Sequence, residues 1–179
     1  MRRFEILDGL PPYGPQAESF SAKDTGKHCE GFVVRFMPAE AGAWVGNCVR
    51  GMTRFDAVRE LPDGSGPIIV IAGGEAYLVD PLAAKAHAMT GGMIVGAYPI
   101  PELNQVLLDN TCWFEIVGAS GLQWKTPRLS WDGFRSISIQ GAKVFGEAYS
   151  PVDKNKEWFP FAIDLVKRSA EGGSYAGPR

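Results

Sequence analysis

Two segments of this 179-residue chain follow one plan. Residues 72–89 (AGGEAYLVDPLAAKAHAM) and 109–127 (DNTCWFEIVGASGLQWKTP) each begin with a polar or glycine turn. Each continues as an aromatic-rich apolar strand, turns again, and resumes as a second strand. Their aromatic anchors, Tyr77 and Trp113, stand 36 residues apart (113 − 77). A period of that size constrains a chain to stacked or radially arranged β units. It speaks to fold and says little about chemistry.

The rest of the chain is punctuated in the same way. Residues 1–27 carry Pro11, Pro12 and Pro15, which cannot donate ladder hydrogen bonds. They read as an irregular lead-in whose Phe4, Ile6 and Leu10 can tuck into a core. Strand-like text follows at GFVVRFM, AWVGNCVRG and MTRFDAVRELPDG, the last ending in a Pro-Asp-Gly turn. A hairpin is expected around Gly73-Gly74 and another around Gln140-Gly141. Asp80-Pro81 before LAAKAHAM and Gly91 fits a short helix with Asp as N-cap. The repeat instead makes this stretch a turn and a strand, the reading favoured here. The end, EGGSYAGPR, is polar and glycine-rich, so residues 168–179 are expected to form a flexible tail. At least ten strand candidates recur with no long amphipathic helix. The expectation is one all-β domain over residues 1–179, a hairpin-built antiparallel repeat fold, propeller-like or sandwich-like.

Residues 68–127 resemble the blade repeats of quinoprotein-type and WD-type β-propellers. There a strand ends in an Asp-containing turn and the next strand carries the following aromatic. AYLVDPLAAKAHAM and especially WFEIVGASGLQWKTP, with Gly121 and then Trp124, carry the likeness. It implies repeated units of about 40 residues, at most about four in a chain of this length. No cofactor-ligand pattern of a quinoprotein enzyme accompanies it, and no cofactor is expected.

Composition narrows the function classes. Lys and Arg number 18 against 20 Asp and Glu, for a net charge of −2. No basic run supplies the footprint of a nucleic-acid binder. No stretch approaches the roughly 18 apolar residues of a membrane helix. MRRFEILDGL places Glu5 and Asp8 where a secretory signal needs an apolar run. A cytoplasmic protein is therefore expected. Cys29, Cys48 and Cys112, an odd set without CxxC spacing, read as buried free thiols.

Catalytic signatures are missing. The two histidines, His28 and His87, form no ligand pattern with the cysteines, so no metal is expected. There is no GxSxG elbow and no phosphate-binding glycine frame. Aspartates 80, 109, 132, 153 and 164 and glutamates 102, 115 and 147 could include a hydrolytic carboxylate pair. Their turn-like neighbours make capping the plainer role.

The densest functional-looking cluster is WKTPRLSWDGFR, residues 124–135. Trp and Arg anchor many binding surfaces. Lys125, Arg128, Trp131, Asp132 and Arg135 are therefore the binding candidates, with Trp124 assigned to the core. Trp158 joins them from KNKEWFPF, because Trp158, Phe159 and Phe161 cannot all point inward from one strand. The expected function is a non-catalytic module acting through protein–protein contacts, by analogy a bacterial immunity protein against a toxin. The rival is a carbohydrate-binding protein, or a hydrolase using a carboxylate pair.

Overall fold

A computed structural model describes residues 3–21, 29–89, 92–152, 154–155 and 157–175. The chain is all-β. Its strands form four open, four-stranded sheets, and the only helical element among the described residues is a 3₁₀ turn, Pro101–Leu103. By its internal contacts the chain divides into two compact units. One is Met1–Glu60 with Gly64–Ile94, the other Leu61–Asp63 with Val95–Arg179.

The first unit holds two sheets. One comprises β1 (Phe4–Leu7), β2 (Glu18–Phe20), β3 (Phe32–Phe36) and β4 (Trp44–Cys48), in spatial order β1-β3-β4-β2. Its pairs are antiparallel except β2 with β4. Two of its strands thus arise within the proline-rich lead-in. Asn47, fully buried on β4, binds the returning chain there. Its Oδ1 accepts Gly31 N–H at 2.8 Å and its amide donates to Cys29 O at 3.0 Å.

The other sheet is a meander of β5 (Ala57–Glu60), β6 (Ile68–Ala72), β7 (Glu75–Asp80) and β8 (Lys85–Ala88). β6 is wholly buried, as its unbroken IIVIA text requires. The expected hairpin closes with Ala72 opposite Glu75. Gly73 (φ +53°) and Gly74 (φ +82°) supply the two left-handed residues of a type I′ turn. The stretch after Asp80 is a turn and a strand. Asp80 does cap, its Oδ1 accepting N–H groups of Leu82 and Ala83, but Ala84 at φ +49° turns the chain back into β8. The capping signal was genuine and belongs to a turn. β5 begins only at Ala57, later than the sequence reads. Before it, Thr53 N–H donates to Gly73 O and Gly74 N–H to Phe55 O, which holds residues 52–55 as a loop around the hairpin. Phe36, Ile68, Val70, Tyr77 and Val79 lie in the core of this unit.

The second unit holds two more meanders. These are β9 (Gly96–Ile100) to β12 (Gly121–Lys125), through β10 (Gln105–Asp109) and β11 (Phe114–Gly118), and β13 (Phe134–Gln140) to β16 (Ser169–Gly172), through β14 (Lys143–Tyr149) and β15 (Trp158–Asp164). The hairpin near Gln140 pairs that residue with Lys143 across Gly141-Ala142. Leu107, Phe114, Ile116, Phe161 and Ile163 are core residues here. Ser169–Gly172, within the segment expected to be a flexible tail, form the edge strand β16 on β15.

The repeat is real and its period is longer than the aromatic pair implied. The meanders start at Ala57, Gly96 and Phe134, 39 and 38 residues apart. Tyr77 lies inside β7, whereas Trp113 precedes β11, so the two are not equivalent positions.

Candidate binding face

All the binding candidates lie in the second unit. The β13–β14–β15 register explains one group. Arg135 stands opposite Glu147, and Tyr149 opposite Trp158. Glu147 and Tyr149 are two apart on β14, so they share a face. Phe134 and Phe161 pack into the core instead. On the shared face Arg135 donates from Nε to Glu147 Oε2 at 2.9 Å and lays its guanidinium 4.3 Å from the Trp158 ring centre. Trp158 packs on Tyr149 with centroids 5.0 Å apart. The Arg135 hydrogen bond holds the Glu147 carboxyl below its usual range.

The loop between β12 and β13 carries the second group. Arg128 lies over two rings, 5.1 Å from the centre of Trp131 and 4.5 Å from that of Tyr175. The rings meet edge-on at 4.8 Å. Arg128 Nε donates to Ser130 O at 3.0 Å and Nη2 to Trp131 O at 3.1 Å, so the cation is fixed by its own loop. That loop is held from several sides. Leu129 N–H donates to Cys112 O, Gly133 N–H to Thr111 O, and Trp131 N–H to Tyr149 O. Ser174 N–H reaches Leu129 O at 2.8 Å. Gly173 permits that approach, since a Cβ there would stand 2.4 Å from Leu129 O. Ser130 Oγ donates to Gly133 O at 2.6 Å and accepts Asp132 N–H at 3.2 Å.

Lys125 forms a third stack, its Nζ 3.7 Å from the centre of the Trp113 ring. Trp113 in turn donates from Nε1 to buried Glu115 at 3.1 Å. Lys125, Arg128, Asp132 and Arg135 are exposed, whereas Trp131 and Trp158 are half-buried. Trp124 is partly buried against the core, as expected. Asp132 takes part in no ion pair among the described residues. Tyr175, Tyr149 and Trp113 do not stand among the sequence's site candidates, and Glu147 does so only as a hydrolytic carboxylate. Each reaches the cluster through strand pairing or a distant return of the chain, which local composition does not display.

The other candidate chemistries fare differently. Of the cysteines only Cys48 is buried, which corrects the expectation of three buried thiols. Burial pushes its thiol up to about 12, away from thiolate chemistry. Cys29 is exposed, and its neighbour His28 lies outside the described residues, as does Asp153. No group of three metal-ligating side chains occurs among the described residues. Asp109 is buried, and that burial raises its carboxyl to about 6. Glu115 is buried too. The register pairs Asp109 with Phe114 and Glu115 with Leu108, which puts the two carboxylates on opposite faces of their sheet. They do not form a hydrolytic pair. In the first unit, Pro11, Tyr13, Pro15, Arg35 and Trp44 line a cleft of about 120 Å³. Pockets for drug-sized ligands run to roughly 300–1,000 Å³. No helix among the described residues is long and apolar enough to cross a membrane. No protein-family model matches the chain, and no curated protein is significantly similar to it.

Proposed function

We propose that the chain is a non-catalytic binding protein that acts through protein contacts, using the Arg128–Trp131–Tyr175 platform and the neighbouring Arg135–Trp158 stack. The observation that carries this reading is the fixed Arg128 guanidinium, laid over two partly exposed rings and hydrogen-bonded to two carbonyls of its own loop. Trp, Tyr and Arg supply most interface hot spots. Side chains already immobilised lose little further entropy on association. A bacterial immunity protein that neutralises a toxin is one role of this class, by analogy alone. A second reading, a carbohydrate binder, is favoured by the same half-buried rings, which suit stacking on sugar faces. The test is affinity capture from the native host with wild type, Trp131→Ala and Trp158→Ala. A stoichiometric protein partner held by wild type should bind at least about tenfold more weakly to one variant or both. Retention of sugar oligomers with no protein partner would favour the second reading.

A further inference from the structure

The cations of the chain are not balanced alike. Arg3, Arg35, Arg50, Arg135 and Lys167 each stand within ion-pair reach of an acid. Lys125 and Arg128 are in none of these ion pairs; Glu115, opposite Lys125 in the register, is buried and accepts the Trp113 indole N–H. Both cations are exposed and both lie on aromatic rings. They are three positions apart, which bounds their Cα distance at about 11 Å. Asp132, on the same loop, makes an ion pair with neither among the described residues. We propose that this part of the face recognises an acidic segment of a partner protein, two of whose carboxylates meet Lys125 and Arg128 while an apolar side chain packs on Trp131 and Tyr175. This rests on the protein-binding reading and adds the chemistry of the partner.

Charge complementarity carries the argument. Arg128 spends Nε and Nη2 on loop carbonyls, and a guanidinium has five N–H groups. The remaining donors are held in a fixed plane, the arrangement that suits a carboxylate. Lys125, anchored on Trp113, supplies a second point charge that no described hydrogen bond occupies. A cation over a ring keeps its charge while losing side-chain freedom, so an incoming acid meets two pre-positioned partners.

The experiment uses the full chain and a blocked pentapeptide of four glutamates around one phenylalanine. Binding is followed through the indole signal of Trp131 and the Nε–H signal of Arg128 in nitrogen-15 spectra. The glutamate peptide should give saturable shifts of both. The glutamine version should bind at least about tenfold more weakly, and about 0.5 M salt should weaken the glutamate peptide several-fold. Lys125→Gln, which removes no described hydrogen bond, should lower affinity several-fold at unchanged melting temperature. Arg128→Lys should retain part of the binding that Arg128→Gln loses. Equal binding of the glutamine peptide overturns the proposal, as do the same shifts with inorganic phosphate alone. So does a partner captured through Trp131 whose affinity ignores both salt and Lys125→Gln, and that outcome leaves the binding function standing. Failure of peptide and partner alike at this face overturns both readings.

Discussion

Asp109 Oδ1 accepts the N–H of Thr111 at 2.9 Å, inside a turn whose next two carbonyls hold the loop that carries Trp131. The carboxyl is buried, and burial raises it from 3.8 to about 6. The folded state therefore binds a proton more tightly than the unfolded chain. Its stabilisation is full below about pH 4 and is lost as pH rises through about 6. That rise corresponds to at most about 3 kcal/mol. Asp109→Asn keeps an acceptor for Thr111 and removes the charge. It should be more stable than wild type at pH 7.5 and lose most of that advantage at pH 4. Urea unfolding at the two pH values reads this directly, and parallel curves for both proteins would contradict it.

Trp124 and Trp131 should separate cleanly on truncation. Trp124 packs against the core, so Trp124→Ala should cost about 3 kcal/mol. Trp131 is half-buried on Tyr175 and Arg128, and its removal should cost only about 1 kcal/mol, near the value of one aromatic pair. Thermal melts rank the two variants. A larger loss at Trp131 would place that ring among core residues and count against the binding face.

The Gly73-Gly74 turn should tolerate no side chain. At Gly74 a Cβ would lie 2.5 Å from Thr53 Oγ1 and 2.9 Å from Ile94 O, at φ +82°. Gly64 also has positive φ, +70°, but open space around its Cβ position. Gly64→Ala should cost about 1 kcal/mol, and Gly74→Ala at least twice that. Comparing melting temperatures isolates the contact from the backbone cost.

Asn47→Ala should lose about 1 kcal/mol, because partly buried Gly31 N–H and exposed Cys29 O lose the fully buried side chain that joins them. Chemical denaturation measures the loss. Asn47→Asp should cost at least as much, since it buries a charge and replaces the donor to Cys29 with an acceptor.

What the sequence displayed depended on distance along the chain. Gly73-Gly74 announced a hairpin because two adjacent residues make that turn. The repeat was visible, but its length was read from Tyr77 and Trp113, one in a strand and one in a loop. β1 and β2 were hidden among prolines, since Phe4–Leu7 becomes a strand only by pairing with Phe32–Phe36. Composition marked residues 124–135. It could not show that Tyr175 closes over Arg128, nor that Arg135 spends its charge on Glu147. The burial that lifts Asp109 likewise depends on what surrounds it in three dimensions.

Ser174 follows Trp131 by 43 residues, yet its N–H and hydroxyl fasten the loop in which Trp131 lies. During synthesis the loop is made before Ser174 and Tyr175. Until they emerge, Arg128 has one ring beneath it and Leu129 O lacks its two N–H donors. A chain interrupted after β15 would thus fold much of its sheet and still present no finished platform. Two residues made about forty positions after the loop decide when the platform is complete.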